Sequence, residues 1–229
     1  MTLQEAIKER HSVRKYTDEP IPQEVLAILG DTVREINEKT GLHIQLVTDE
    51  PKAFSGLMAY GSFSGVKNYF VMAGKKSDDL DEKIGYWGEH LVLLAQTLGL
   101  NTCWAGLSYS KIPGTYELEE GEKIGCYIAL GIGRTPGSGH KVKHAKEVSN
   151  AGDACPDWFD KGFEAALLAP TAVNQQKFFI EYLGRKDSGK LPLVSAKPTF
   201  SLICYTKMDL GIVKLHFELG AGKENFDWA

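Results

Sequence analysis

The segment KERHSVRKY, residues 8 to 16, concentrates basic side chains in a chain whose net charge is −4. Within it, Arg10, Ser12 and Arg14 recur at every second position. In an extended backbone alternate side chains project to one side, so these three would converge. Two planar guanidinium groups and a hydroxyl suit the terminal oxygens of a phosphate monoester, and each charge-assisted bond to a buried phosphate contributes ~1.5–3 kcal/mol. A helix ending just before the segment would present its C-terminus, which repels anions, so the arginines must balance the charge themselves. The same spacing also suits a solvated basic face paired with Glu5, Glu9 or Asp18. Spacing alone leaves both readings open.

A second polar stretch, APTAVNQQKFF (169–179), lies between a predicted helix and a predicted strand. Its amides can donate and accept hydrogen bonds, but a plain turn with solvent-facing amides would read the same way. Other candidates are weaker. Gly131-Ile132-Gly133 lacks the third glycine of a dinucleotide fingerprint, and no GxGxxG follows a strand. Cys103, Cys126, Cys155 and Cys204 form no CxxC pair, which argues against zinc and thioredoxin-like chemistry; no metal site is expected. Cys103 and Cys126 lie in apolar runs and read as core residues. His90 and His216 read as structural histidines on helices, and Tyr86, Trp87 and Trp104 as core aromatics that could also face a substrate.

The composition of the 229 residues is that of an ordinary globular protein, 43% hydrophobic and 24% charged. The acidic balance argues against nucleic-acid binding. No apolar run reaches the ~18 residues of a membrane helix. MTLQEAIKER has no apolar signal core and the thiols are unpaired in sequence, so a cytoplasmic location is expected.

The elements that must position these residues follow from periodicity. Thr2-x-x-Glu5 predicts a capping box and a helix ending near Arg10. A second helix starts around Pro22, buries Val25, Ile28, Leu29, Val33 and Ile36, and stops at Gly41. HIQLV (43–47) and NYFVMA (68–73) read as strands, with a glycine-rich loop from Phe54 to Gly65 between them. The longest helix spans about 79–98, followed by strands at NTCWAGL and CYIALGIG (126–133). Residues 134–153 read as a connecting loop, 157–168 as a helix, FFIEYL (178–183) and SLICYT (201–206) as strands, and 209–221 as the last helix.

The order helix–strand–strand–helix thus occurs twice, and Ile84-Gly85 aligns with Leu210-Gly211 in the two closing helices. Strands separated by helices leave the class as α/β or α+β. One domain over 1–229 is expected, with two pseudo-symmetric halves at about 1–150 and 151–229.

RHSVRKY, APTAVNQQKFF, GYWGEHLVLLAQTLGLNTCWAGL (85–107) and CYIALGIG with HKVKHAKEV (140–148) together resemble the signatures of the FMN-dependent nitroreductase family. The resemblance touches most of the chain and implies an α+β fold, a central, mainly antiparallel sheet flanked by helices. It implies that Arg10, Ser12 and Arg14 hold the FMN phosphate, joined by the basic pair Lys141 and Lys143. It implies that Asn174 and Gln176 bond the polar edge of the flavin ring, that Thr171 stands where serine is usual, and that Gly106 lets the backbone of 105–107 approach the ring. Lys177-Phe178 departs from the usual Pro-Trp. The Asn/Gln loop is absent after the first long helix, where the family carries it, and occurs in the second half instead. Ordinary members build the site between two subunits; the resemblance here implies a pseudo-dimeric monomer with both parts on one chain. The implied activity is FMN-dependent, ping-pong electron transfer from NAD(P)H to a small-molecule acceptor, a nitroaromatic, a quinone or similar, with no side-chain acid or base assigned. The alternatives are another flavin reaction on the same scaffold, or a non-catalytic flavin-binding or degenerate member.

Overall fold

The computed structural model describes residues 1–56, 62–152, 155–185 and 189–229. Part of the predicted glycine-rich loop (57–61) and the end of the predicted 134–153 connection lie outside the described residues.

Helix α1 (Leu3–Glu9) opens on the predicted box: Thr2 Oγ1 accepts from Glu5 N, and the Glu5 carboxylate accepts from Thr2 N. Two otherwise unpaired donors are satisfied by one another's residues. Past Arg10 the chain is extended and lies along a sheet, with Val13 N donating to Thr102 O (3.0 Å) and Tyr16 N to Ser64 O (2.9 Å). Helix α2 (Gln23–Thr40) buries Leu29, Val33 and Ile36 and closes on Gly41 at φ 70°. Ile28, expected on the same face, is exposed. It lies a ~100° step around the helix from Leu29, outside the spacing that aligns 29, 33 and 36.

Strands β1 (Gln45–Val47), β2 (Asn68–Lys75), β3 (Asn101–Ala105) and β4 (Glu122–Gly131) form one sheet in the order β1-β2-β4-β3, every neighbour antiparallel. Both faces of the two central strands are covered. Phe70, Met72, Ile128 and Leu130 pack against α2 and helix α3 (Leu80–Thr97), while Tyr69, Val71, Tyr127 and Ala129 pack against Val13, Tyr16 and Phe54. Burial on both faces is why NYFVMA reads as a continuous apolar run rather than an alternating one.

The remaining elements are α4 (Ala145–Val148), α5 (Asp157–Leu167), β5 (Phe178–Gly184), β6 (Leu193–Pro198), α6 (Thr206–Ala221) and β7 (Asp227–Trp228). The predicted loop after β4 therefore contains one short helical turn, α4. Strands β5 and β6 pair antiparallel, and β7 joins β6 in parallel. SLICYT is not a strand. The partner of β5 is Leu193–Pro198, whose flanking prolines hide it from a propensity reading, and residues 201–205 turn into α6, which starts at Thr206. Leu202 is 91% exposed. Three antiparallel pairings thus lie in the first sheet and one in the second, and the order α2-β1-β2-α3 recurs as α5-β5-β6-α6.

Helices α3 and α6 join the two sheets' cores. They touch backbone to backbone at Gly85 and Gly211: a Cβ on Gly85 would sit 1.9 Å from Met208 O, and one on Gly211 2.0 Å from Glu82 O. One turn on, Glu89 of α3 is fully buried and holds four elements together. Its Oε2 accepts from Trp104 Nε1 of β3 (2.9 Å), and its Oε1 faces His216 Nε2 of α6 (2.9 Å) and lies 3.7 Å from Arg10 Nε at the end of α1. His216 Nδ1 faces Ala165 O at 3.1 Å. A carbonyl oxygen only accepts, so Nδ1 carries a hydrogen, and one further proton is shared between Nε2 and Glu89.

Three substitutions test this joint. Gly211→Val must part the helices and is expected to cost about 3 kcal/mol of stability. Glu89→Ala leaves His216 and Trp104 without their common partner and the charge of Arg10 without its balance, and is expected to cost about 3–5 kcal/mol. Glu89→Gln, which can accept from Trp104 and donate to His216, should lose clearly less. Urea midpoints read all three; an Ala variant as stable as the wild type would mean that the carboxylate is not the joint.

Candidate functional site

Two adjoining cavities open between the α1–β3 side and the second half. The smaller, about 260 Å³, is lined by Arg10, Ser12, Arg14, Ser138, His140, Pro170, Thr171, Val173 and Asn174. The larger, about 430 Å³, lies between Trp104–Ser108, Ser62 and Phe63 on one side and Pro170–Val173, Ile203, Tyr205, Met208, Asp209 and Ile212 on the other. Ser12, Arg14, Pro170, Thr171 and Val173 line both. The two stretches singled out in the sequence, more than 150 residues apart, therefore wall one continuous space.

The extended backbone after α1 puts Arg10, Ser12 and Arg14 on the cavity side and buries Val13 on the other. The salt bridges of the solvated-face reading are not formed by Glu5 or Asp18, although Arg14 is exposed. Glu5 caps its own helix, Asp18 pairs with Lys67 at 2.9 Å, and Arg14 makes no ion pair among the described residues. Arg10 is 4% exposed, and its Nε has no hydrogen-bond partner. At 3.7 Å, Glu89 balances its charge without satisfying that donor. A buried guanidinium with an unpartnered donor, beside a second arginine and a hydroxyl, fits a phosphate group.

The loop after α5 is strained. Val173, Asn174 and Gln176 have φ of 46°, 56° and 45°. Left-handed backbone in residues other than glycine costs ~1 kcal/mol or more each and persists where the surroundings enforce it. Here they do. Gln176 N donates to Thr171 Oγ1 (3.0 Å), and Gln176 Nε2 donates to Lys141 O and Asn174 Oδ1. Gln176 Oε1 accepts from Lys143 N, Lys143 Nζ donates to Gln176 O, and Asn174 Nδ2 donates to Lys141 O. Asp209, in the first turn of α6, accepts from Ala172 N (2.9 Å) and Gln175 Nε2 (2.7 Å), and burial raises its pKa to about 6.

These bonds redistribute the expected roles. Gln176 is buried, lines neither cavity, and spends its whole amide inside the protein, so the ring-edge role is not open to it in this geometry. Asn174 reaches only the smaller cavity. Lys141 and Lys143 line neither; they brace the loop through main-chain carbonyl, main-chain N–H and Nζ. The cavity residue from their segment is His140, whose Nε2 donates to Leu167 O (3.1 Å) and whose pKa burial lowers. Gly106 does line the larger cavity, but its missing side chain makes room for Tyr205, whose ring a Cβ there would meet at 2.7 Å. Tyr205 itself stands at φ 80° before α6 and donates its hydroxyl to Gly106 O (3.0 Å). Phe178, at the Pro-Trp position, is buried in the second core. Sequence reading missed Tyr205 and Asp209; an aspartate inside the apolar run of α6 was the available signal for the latter.

Among the described residues no group of three or more His, Cys, Asp or Glu could hold a metal ion, and no helix is long and apolar enough to cross a membrane.

The fold has solved relatives. A "putative nitroreductase" of Thermotoga maritima superposes with a TM-score of 0.64 at 22% identity, covering 98% of this chain and 85% of its own. Another "putative nitroreductase", in complex with FMN, from Desulfovibrio desulfuricans gives 0.53 at 17% identity over 68% of this chain and 99% of its own. A "Putative NADH dehydrogenase/NAD(P)H nitroreductase" of Bacteroides thetaiotaomicron gives 0.50 at 18% identity over 64% of this chain and 95% of its own. The fold is thus the α+β nitroreductase fold. No curated protein matches the sequence. The family model described as "Putative TM nitroreductase" matches residues 2–221, nearly the whole chain, and the protein belongs to that nitroreductase family.

Proposed function

We propose that the chain is an FMN-dependent oxidoreductase that passes electrons from NAD(P)H to a nitroaromatic, a quinone or a similar acceptor. The observation that carries this is the shared wall: Arg10, Ser12 and Arg14 meet Thr171 and Asn174 around one polar cavity that runs into a larger, more apolar one. The first suits the phosphate and the second the ring. A bound flavin would supply the two-electron chemistry, so the protein has only to bind, orient and shield. Arg10 and Arg14 supply charge, and Ser12 and Thr171 supply hydroxyls. The backbone of Ala105–Leu107 and the ring of Tyr205 border the larger cavity. One site serving donor and acceptor in turn implies ping-pong kinetics.

We further propose that both parts of the site belong to one chain, the residues after about 151 standing in for a partner subunit. The repeated element order supports this, as does the way nearly complete shorter relatives cover only about two thirds of this chain.

Purified protein titrated with FMN should gain flavin absorbance that NADH or NADPH bleaches. Arg14→Ala should weaken FMN binding by at least about tenfold, the equivalent of losing one charge-assisted bond. Unchanged affinity in that variant would place the phosphate elsewhere.

A further inference from the structure

His140 has no role in the reading above beyond lining the smaller cavity, yet its position constrains it. Its Nε2 lies 3.1 Å from Leu167 O, the last residue of α5. A carbonyl oxygen cannot donate, so Nε2 carries a hydrogen whether the ring is neutral or charged. Nδ1 is then the atom left to change state: a lone pair that repels an anion when bare, a donor when protonated.

The surroundings act on that atom in both directions. Burial disfavours the charged ring, and so do the positive fields of Arg10, His216 and His11; the Leu167 carbonyl at the C-terminus of α5 favours it. Arg14 lines the same cavity, which no carboxylate lines among the described residues, and Glu89 lies behind Arg10, engaged with it and with His216. The net direction is downward, so the ring is neutral near pH 7–8. A dianion placed among Arg10, Ser12 and Arg14 offsets those positive fields and adds an attraction that favours the protonated ring against its burial.

We propose that His140 is a proton-switched member of the anion site, neutral while no anion is bound and protonated on Nδ1, from bulk solvent, as a phosphate dianion enters. The site then gains a third cation only when there is an anion to hold. This rests on the FMN reading above.

Isothermal titration of FMN at about pH 7.5, where a phosphate monoester is mostly dianionic, in two buffers of different ionisation enthalpy counts the protons taken up. Wild-type protein should take up about 0.5–1 proton per FMN. His140→Gln, whose amide can still donate to Leu167 O, should take up essentially none and bind FMN about tenfold more weakly. The wild-type count stands even where the variant does not fold. FMN bound without proton uptake, or equal uptake by the folded variant, overturns the role of His140 alone. Failure of the wild type to bind FMN overturns the parent reading as well.

Discussion

The carboxylate of Glu89 is the point on which the arrangement turns. It is fully buried, and it can stay there because Trp104, His216 and the charge of Arg10 surround it. Each of those partners has a second duty. Arg10 walls the smaller cavity, Trp104 walls the larger one, and His216 ties down α5 through Ala165. A buried ion network of this kind adds little net stability over an apolar core, but losing one member leaves the others uncompensated. The network therefore fixes a geometry: the end of α1, strand β3 and helices α3 and α6 keep one relative position, and the cavities between them keep one shape. The Gly85–Gly211 contact sets how close α3 and α6 come; Glu89 sets what they bring with them.

The opposite wall depends on a different device. Three left-handed residues store strain in the loop between α5 and β5, and Gln176, Lys143 and Asp209 hold it. Such a loop presents Thr171 and Asn174 at defined places without regular secondary structure around them. The amides at 174 and 176 thus bond within the loop and to Lys141.

Much of the fold was legible because the signals were local and redundant. The Thr2/Glu5 box, the stripe of α2 ending on Gly41, and the doubly covered strands β2 and β4 each follow from spacing alone. The second half was harder. SLICYT has the composition of a strand, yet lies exposed between β6 and α6, while the real strand is bracketed by Pro192 and Pro198 and carries a lysine. Which strand pairs with β5 is decided by tertiary contact, beyond the reach of propensity. In the site, the alternation of Arg10, Ser12 and Arg14 was readable because an extended backbone has only two sides. Whether His140 or the lysines beside it would face the cavity was not, since an irregular segment has no period to read. Tyr205 and Asp209 lie on a helix start placed three residues late, which hid them from the site.

The central claim is that one chain carries a whole flavin site. Native mass spectrometry of the FMN-loaded protein, diluted until any dimer dissociates, tests it directly. The account predicts monomers carrying a single FMN. FMN found only on dimers, or two FMN on one monomer, would contradict it.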